Sequence, residues 1–294
     1  MARFSQARSF QCLPDAIALK TTIRKYRIAA ALLVVCIAAC HPGRPANSQS
    51  PQNGDVVRWN LPGKLNEISG LALTHDERLL AITDEEAIVY EFDFTAGRLV
   101  KAFALGEPTV RDDFEGIAVL DGTVWLMNSK GDLYSAREGS NGERVEYEKH
   151  KFEFKDDCEL EGLAADERQN ALILVCKDAK RKKDRLIFAW SMDADSRKFR
   201  LPEAEIAASL GKKRVHPSGI EVDPGTGDLL VVAAREHAVF RLSRDGGFMD
   251  VIMKLDSGRH RQAEGITITK DGRLLIADEA NNGSAMLTIY PSYQ

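Results

Sequence analysis

One pattern recurs five times along this chain and limits what it can fold into. The segments are Glu67-Ile68-Ser69-Gly70-Leu71, Asp113-Phe114-Glu115-Gly116-Ile117, Glu159-Leu160-Glu161-Gly162-Leu163, His216-Pro217-Ser218-Gly219-Ile220 and Gln262-Ala263-Glu264-Gly265-Ile266. The residues before the glycines are 69, 115, 161, 218 and 264, so the steps are 46, 46, 57 and 46. A period of about 40–50 residues, with four short strands per unit, is the signature of a β-propeller.

Each unit supports that reading. The motif runs into an apolar strand, then a turn rich in Asp, Gly and Pro, then a second strand, as in GIEVD, PGTGD and LLVVAA of the fourth unit. Such turns supply the tight reversal of a hairpin. Third strands are expected at 88–92, 133–136, 186–190, 238–242 and 286–290. Fourth strands follow in the first four units, among them 99–104 and 249–255. The fifth unit reaches Gln294 after three strands, and VVRWNL at 56–61 stands unused before the first motif. Adding that strand to the last unit closes the ring and removes a sheet edge. The expected fold is therefore all-β: a five-bladed β-propeller over residues 55–294 with four-stranded blades, the last closed by the N-terminal strand. A β-sandwich with similar hairpins would leave the equal spacing unexplained.

The step of 57 places extra residues in the third unit, at Lys177 to Asp184 (KDAKRKKD) and before Val215. Strand direction puts both insertions and all five motifs at one mouth of the channel. Lys180-Arg181-Lys182-Lys183 makes one insertion basic. It reads either as an anion-attracting loop or as a solvated one.

The N-terminus reads as an export signal. Arg24, Lys25 and Arg27 precede an apolar run from Ile28 to Ala39, long enough for a signal peptide and too short to span a bilayer. It ends Ile37-Ala38-Ala39-Cys40, which resembles the lipobox of bacterial lipoproteins. That resemblance implies a signal peptide over 1–39, lipidation of Cys40 and a membrane anchor of several acyl chains. Residues 40–54 are rich in Pro, Ser, Asn and Gln and read as a flexible tether. The expected location is the periplasm-facing cell envelope. His41, standing where an Asp would favour inner-membrane retention, tips the expectation toward the outer membrane.

Of 40 basic and 44 acidic side chains, the first 39 residues hold six and one, so the remainder is left with 34 and 43 and a net charge of -9. That acidity argues against nucleic acid as partner. No feature demands an oligomer, and a monomer is expected. Export also sets the redox context: Cys158 and Cys176 fall on adjacent strands of the third unit, where a disulfide or two packed thiols are both open.

The motif starts, the five units and the anchored N-terminus together resemble the SdiA-regulated family of bacterial propellers, distant relatives of NHL-repeat propellers. The resemblance spans roughly residues 55–294. It implies a calcium ion at the propeller face and no established enzymatic activity. A looser resemblance to six-bladed gluconolactonase-like hydrolases implies metal ligands immediately before the motif glycines.

The residues point the same way. Equivalent innermost positions form the ring Ser69, Glu115, Glu161, Ser218 and Glu264. Three carboxylates aimed at one axis repel unless protonated or neutralised by a cation. Oxygen donors of this kind suit Ca²⁺, bound by Glu115, Glu161 and Glu264, with Ser69 and Ser218 as weaker ligands. Zinc is disfavoured, because His75, His150, His237 and His260 are scattered. The bland alternative is that the glutamates only accept backbone hydrogen bonds between blades. A second ring, Glu67, Asp113, Glu159, His216 and Gln262, reads as solvated rim or as a substrate site. Asp84, Asn128, Asp178 and Asp278 end second strands near the same mouth. Two functions follow: a binding or scaffold module for an unknown small molecule or protein, or a calcium-dependent lactonase or phosphoesterase with Asp113 or Glu159 as general base.

Overall fold

A computed structural model describes residues 55–152, 157–180 and 184–293. The segments expected to be a signal peptide and a tether, with Cys40 between them, lie outside the described residues, as do Arg181, Lys182 and Lys183 of the basic insertion.

The chain folds into a five-bladed β-propeller. Blade one holds β2 (Ile68–Leu73), β3 (Leu79–Thr83), β4 (Ile88–Asp93) and β5 (Arg98–Leu105). Blade two holds β6 (Phe114–Leu120), β7 (Thr123–Asn128), β8 (Leu133–Arg137) and β10 (Tyr147–His150). Before β10 the chain touches back on blade one, where β9 (Arg144–Val145) pairs in parallel with β5 and covers its outer edge. Blade three holds β11 (Cys158–Asp166), β12 (Ala171–Ala179), β13 (Leu186–Trp190) and β14 (Arg197–Arg200). Blade four holds β15 (Gly219–Val222), β16 (Leu229–Ala233), β17 (Ala238–Leu242) and β18 (Phe248–Lys254). Blade five holds β19 (Ala263–Ile268), β20 (Arg273–Asp278) and β21 (Met286–Ser292), and its outer strand is β1 (Val57–Asn60), paired antiparallel with β21. The closure read from the unused N-terminal strand is the closure observed.

The core is five apolar wedges, one between each pair of neighbouring blades. Alternation along the strands explains this. Each blade buries both faces against its two neighbours, so its inner strands are apolar on both sides. The residues inserted before Val215 include α1 (Glu203–Leu210), which ends at Gly211 in the left-handed region and buries Ile206 and Ala207 in the wedge between blades three and four. Arg185, almost fully buried, donates to Asp178 and Glu203 at 2.6 Å each and ties the two insertions together. Cys158 and Cys176 form a disulfide within blade three, with Cα atoms 5.8 Å apart.

The motif glycines are explained by the centre. Inner strands β2, β6, β11, β15 and β19 pack side by side, and β19 returns to β2. At the tightest point a Cβ on Gly116 would stand 2.7 Å from the Leu163 Cβ and 2.8 Å from its backbone nitrogen, and one on Gly219 would stand 2.7 Å from the Glu264 carbonyl oxygen. Only glycine permits that approach. Gly116→Ala should therefore cost about 1–3 kcal/mol in urea denaturation. Gly283→Ala, where an added Cβ meets nothing, should be close to neutral, and equal losses at both positions would contradict the packing account.

Candidate functional site at the axial mouth

Four of the five blades deliver their ring residue through an irregularity in the ladder; in blade four Ser218 stands just before a regular one. Ile68 pairs with Thr83 and Gly70 with Ile82, leaving Ser69 as an extra residue. Glu115 and Glu264 are extra in the same way, and in blade three Glu161 and Gly162 together face Val175. Such bulges bend the strand and re-aim the side chain. Blade three has a second one: Glu159 pairs with Asp178 and Leu160 with Cys176, which leaves Lys177 extra on β12.

Lys177 proves central. Its Nζ lies 2.5 Å from Glu161 Oε1. Glu161 is 3% exposed, and its other oxygen, Oε2, is buried without a partner among the described residues. The cluster is electrostatically coupled throughout. Burial first, then the charges of Glu161 and Asp113, push Glu115 up to about 9. Burial and the Glu161 charge push Glu264 up to about 8. Burial pushes Glu161 up to about 7 despite the ion pair to Lys177. Burial opposes the charge of Lys177 as well, but Glu161, Glu264 and Glu115 outweigh it and hold its pKa above the ordinary lysine value. One ammonium group and shared protons thus stabilise three carboxyl groups at the axis.

The remaining ring members differ. Ser69 Oγ is buried without a partner among the described residues. Ser218 is engaged elsewhere: its hydroxyl donates to the Ala263 carbonyl at 2.6 Å and accepts from Ala234 N–H, joining blade four to blade five. The second ring lies at the rim. Glu67, Asp113 and Glu159 are exposed, Asp113 accepts from Ser129 Oγ at 2.6 Å, His216 contacts Glu236 at 2.9 Å, and Gln262 bonds Glu279 and Asn281. Of the strand-end residues, Asn128 donates to Asp112, Asp178 pairs with Arg185, and Asp278 pairs with the buried His260 at 2.7 Å. Asp84 is pushed up to about 6 by burial and the neighbouring Glu67 charge.

By donor chemistry the cluster fits a hard divalent cation: carboxylate oxygens, one without a partner, beside a partnerless hydroxyl. By arrangement it is a lysine-neutralised cluster, and among the described residues no group of three or more His, Cys, Asp or Glu is gathered as a metal site. The sequence reading left out Lys177. A signal was present, since Lys177 stands where the other blades carry Asp84, Ser129, Ala234 and Glu279.

The SdiA-regulated family profile matches residues 52–282. The chain belongs to the SdiA-regulated family. Among curated proteins none matches it. Solved structures resembling this family member include a luciferin-regenerating enzyme, at 11% identity and a TM-score of 0.52 over 80% of this chain and 95% of that one. A gluconolactonase from Xanthomonas campestris resembles it at 16% identity and a TM-score of 0.46, over 76% and 72% of the two chains. Virginiamycin B lyase from Staphylococcus aureus does so at 12% and 0.46, over 81% and 88%. At 11% identity the likeness to the luciferin-regenerating enzyme is one of fold alone.

The three raised carboxyls have a consequence for stability. Each binds its proton more tightly in the folded state than the unfolded value of about 4.3. Their stabilising contribution is complete in acid and is lost as pH rises through about 7, 8 and 9. In chelator-containing buffer, Tm should fall between about pH 5 and about pH 9, with a shallower fall in the Glu115→Gln, Glu264→Gln double variant. An unchanged slope in that variant would remove these groups as its source.

Proposed function

We propose that the protein is a binding module of the cell envelope whose ligand site is the axial mouth formed by Glu115, Glu161, Glu264 and Lys177. The observation that carries this reading is the buried Glu161 carboxylate, held by Lys177 through one oxygen and left without a partner at the other. A protein gains no stability by converging three carboxyl groups on one buried axis, and that arrangement supports a ligand that neutralises them.

Calcium is the ligand chemistry these residues suit. Glu115, Glu161 and Glu264 would hold it, with the Ser69 hydroxyl beside them. The ion would supply positive charge and order at the mouth. Lys177 supplies that charge otherwise, so it competes for the same oxygens. Calorimetric titration with CaCl₂ should therefore give a heat of binding and a rise in Tm. Glu161→Gln should weaken binding about tenfold or more, and Lys177→Met should strengthen it. No heat and no thermal shift with either wild type or Lys177→Met would exclude calcium.

The anchor is part of the same reading. The apolar run ending Ala38-Ala39-Cys40 and the polar segment after it support tethering through acylated Cys40. Expressed with its own leader in a Gram-negative host, the wild type should sediment with membranes and incorporate labelled palmitate. Cys40→Ser should do neither; sedimentation unchanged by this substitution would rule the lipid out.

A further inference from the structure

The channel has a second chamber on the other side of the glycine waist. It is a cavity of about 150 Å³, and Ile117 and Leu163 border both it and the small space beneath the acid ring. Its wall is the layer three residues past the ring: Ala72, Ala118, Ala164, Glu221 and Thr267. Three blades place alanine there and so open the space. Blade four places a carboxylate in it.

We propose that this chamber binds a small organic ammonium ion, with its charged head on the Glu221 carboxylate and its apolar body against Ala72, Ala118 and Ala164. Glu221 is surrounded by protein, and what exposure it keeps is to the cavity. Its oxygens are held in place: Oε1 accepts Val222 N–H at 2.8 Å, and Oε2 accepts the Thr267 hydroxyl at 2.6 Å. A carboxylate accepts about four hydrogen bonds, so each oxygen keeps capacity for a donor from the chamber.

Among the described residues no cation pairs with Glu221. The charge acting on it is the like charge of Asp223, and burial pushes it up to about 7. The arginine and the lysine at the chamber are committed elsewhere. Arg168 donates to the carbonyls of Pro224, Gly225 and Thr226, and Lys270 donates to the His75 carbonyl. The chamber carries the carboxylates of Glu77, Asp166, Glu167, Glu221 and Asp223 against Arg168, Lys270, the imidazole of His75 and Arg244, which pairs with Asp166 at 3.7 Å, so acids still outnumber bases and the field favours a cation. Buried carboxylates are ordinarily paired, and the missing partner here is a positive group small enough to enter. A space of about 150 Å³ accepts a benzene-sized body, so a ligand of about eight heavy atoms fits. This differs from the acid mouth, where Lys177 provides the cation from within the chain.

Benzylamine is the probe, and benzyl alcohol its uncharged counterpart. Calorimetry and thermal shift on the folded domain should show millimolar or tighter binding of benzylamine and weaker binding of the alcohol. Glu221→Gln should weaken benzylamine binding about tenfold or more and leave calcium titration at the axial mouth unchanged. Glu161→Gln should leave benzylamine binding unchanged. Should Glu221→Gln fail to fold by circular dichroism, Ala118→Leu tests the same site by filling the chamber and should abolish binding. No binding of benzylamine to wild type, equal binding of the alcohol, or binding left unchanged by either chamber variant would overturn the proposal.

Discussion

The approach of five inner strands at the axis is the constraint on which the rest of the structure depends. Five blades leave a narrow centre, and the strands close it only where side chains are absent. Glycine at 70, 116, 162, 219 and 265 provides that waist. The bulges follow from the same crowding. In blades one, two and five the strand that leans on its neighbour at glycine sheds one residue from its ladder just before it, and that residue turns toward the axis. The waist therefore creates the acid ring above it and divides it from the alanine-walled chamber below.

These two spaces solve the same electrostatic problem in different ways. Three carboxyl groups above the waist share one internal ammonium and are raised by burial. In the chamber below it, Glu221 has a hydroxyl and a backbone N–H but, among the described residues, no cation. An apolar surrounding makes an unpaired charge costly in either place. The difference lies in whether the chain supplies the partner.

Much of this was legible from spacing. The equal steps gave the number of blades, and the leftover strand at 56–61 gave the closure, because a propeller without it keeps an open edge. The ring positions were also legible, since they sit beside an invariant landmark, the motif glycine. Lys177 was not. It lies within a segment that reads as an insertion, and two ladder irregularities in blade three shift the register that places it. Ser218 looked equivalent to Ser69, yet its hydroxyl bonds the Ala263 carbonyl of the next blade while that of Ser69 bonds nothing. Glu221 and Thr267 stand out from Ala72, Ala118 and Ala164 only once that layer is known to face a cavity.

By itself the sequence determined the repeat, the strand order, the closing strand and the identity of the residue before each glycine. These rest on local periodicity and on counting, which need no third dimension. Tertiary structure alone decided which side chains meet. Glu115, Glu161, Glu264 and Lys177 come from three blades, and Glu221 and Thr267 from two, and their encounters depend on bulges, blade packing and the waist. Those are properties of the closed ring, where a shift of one residue turns a side chain from the axis to a wedge between blades.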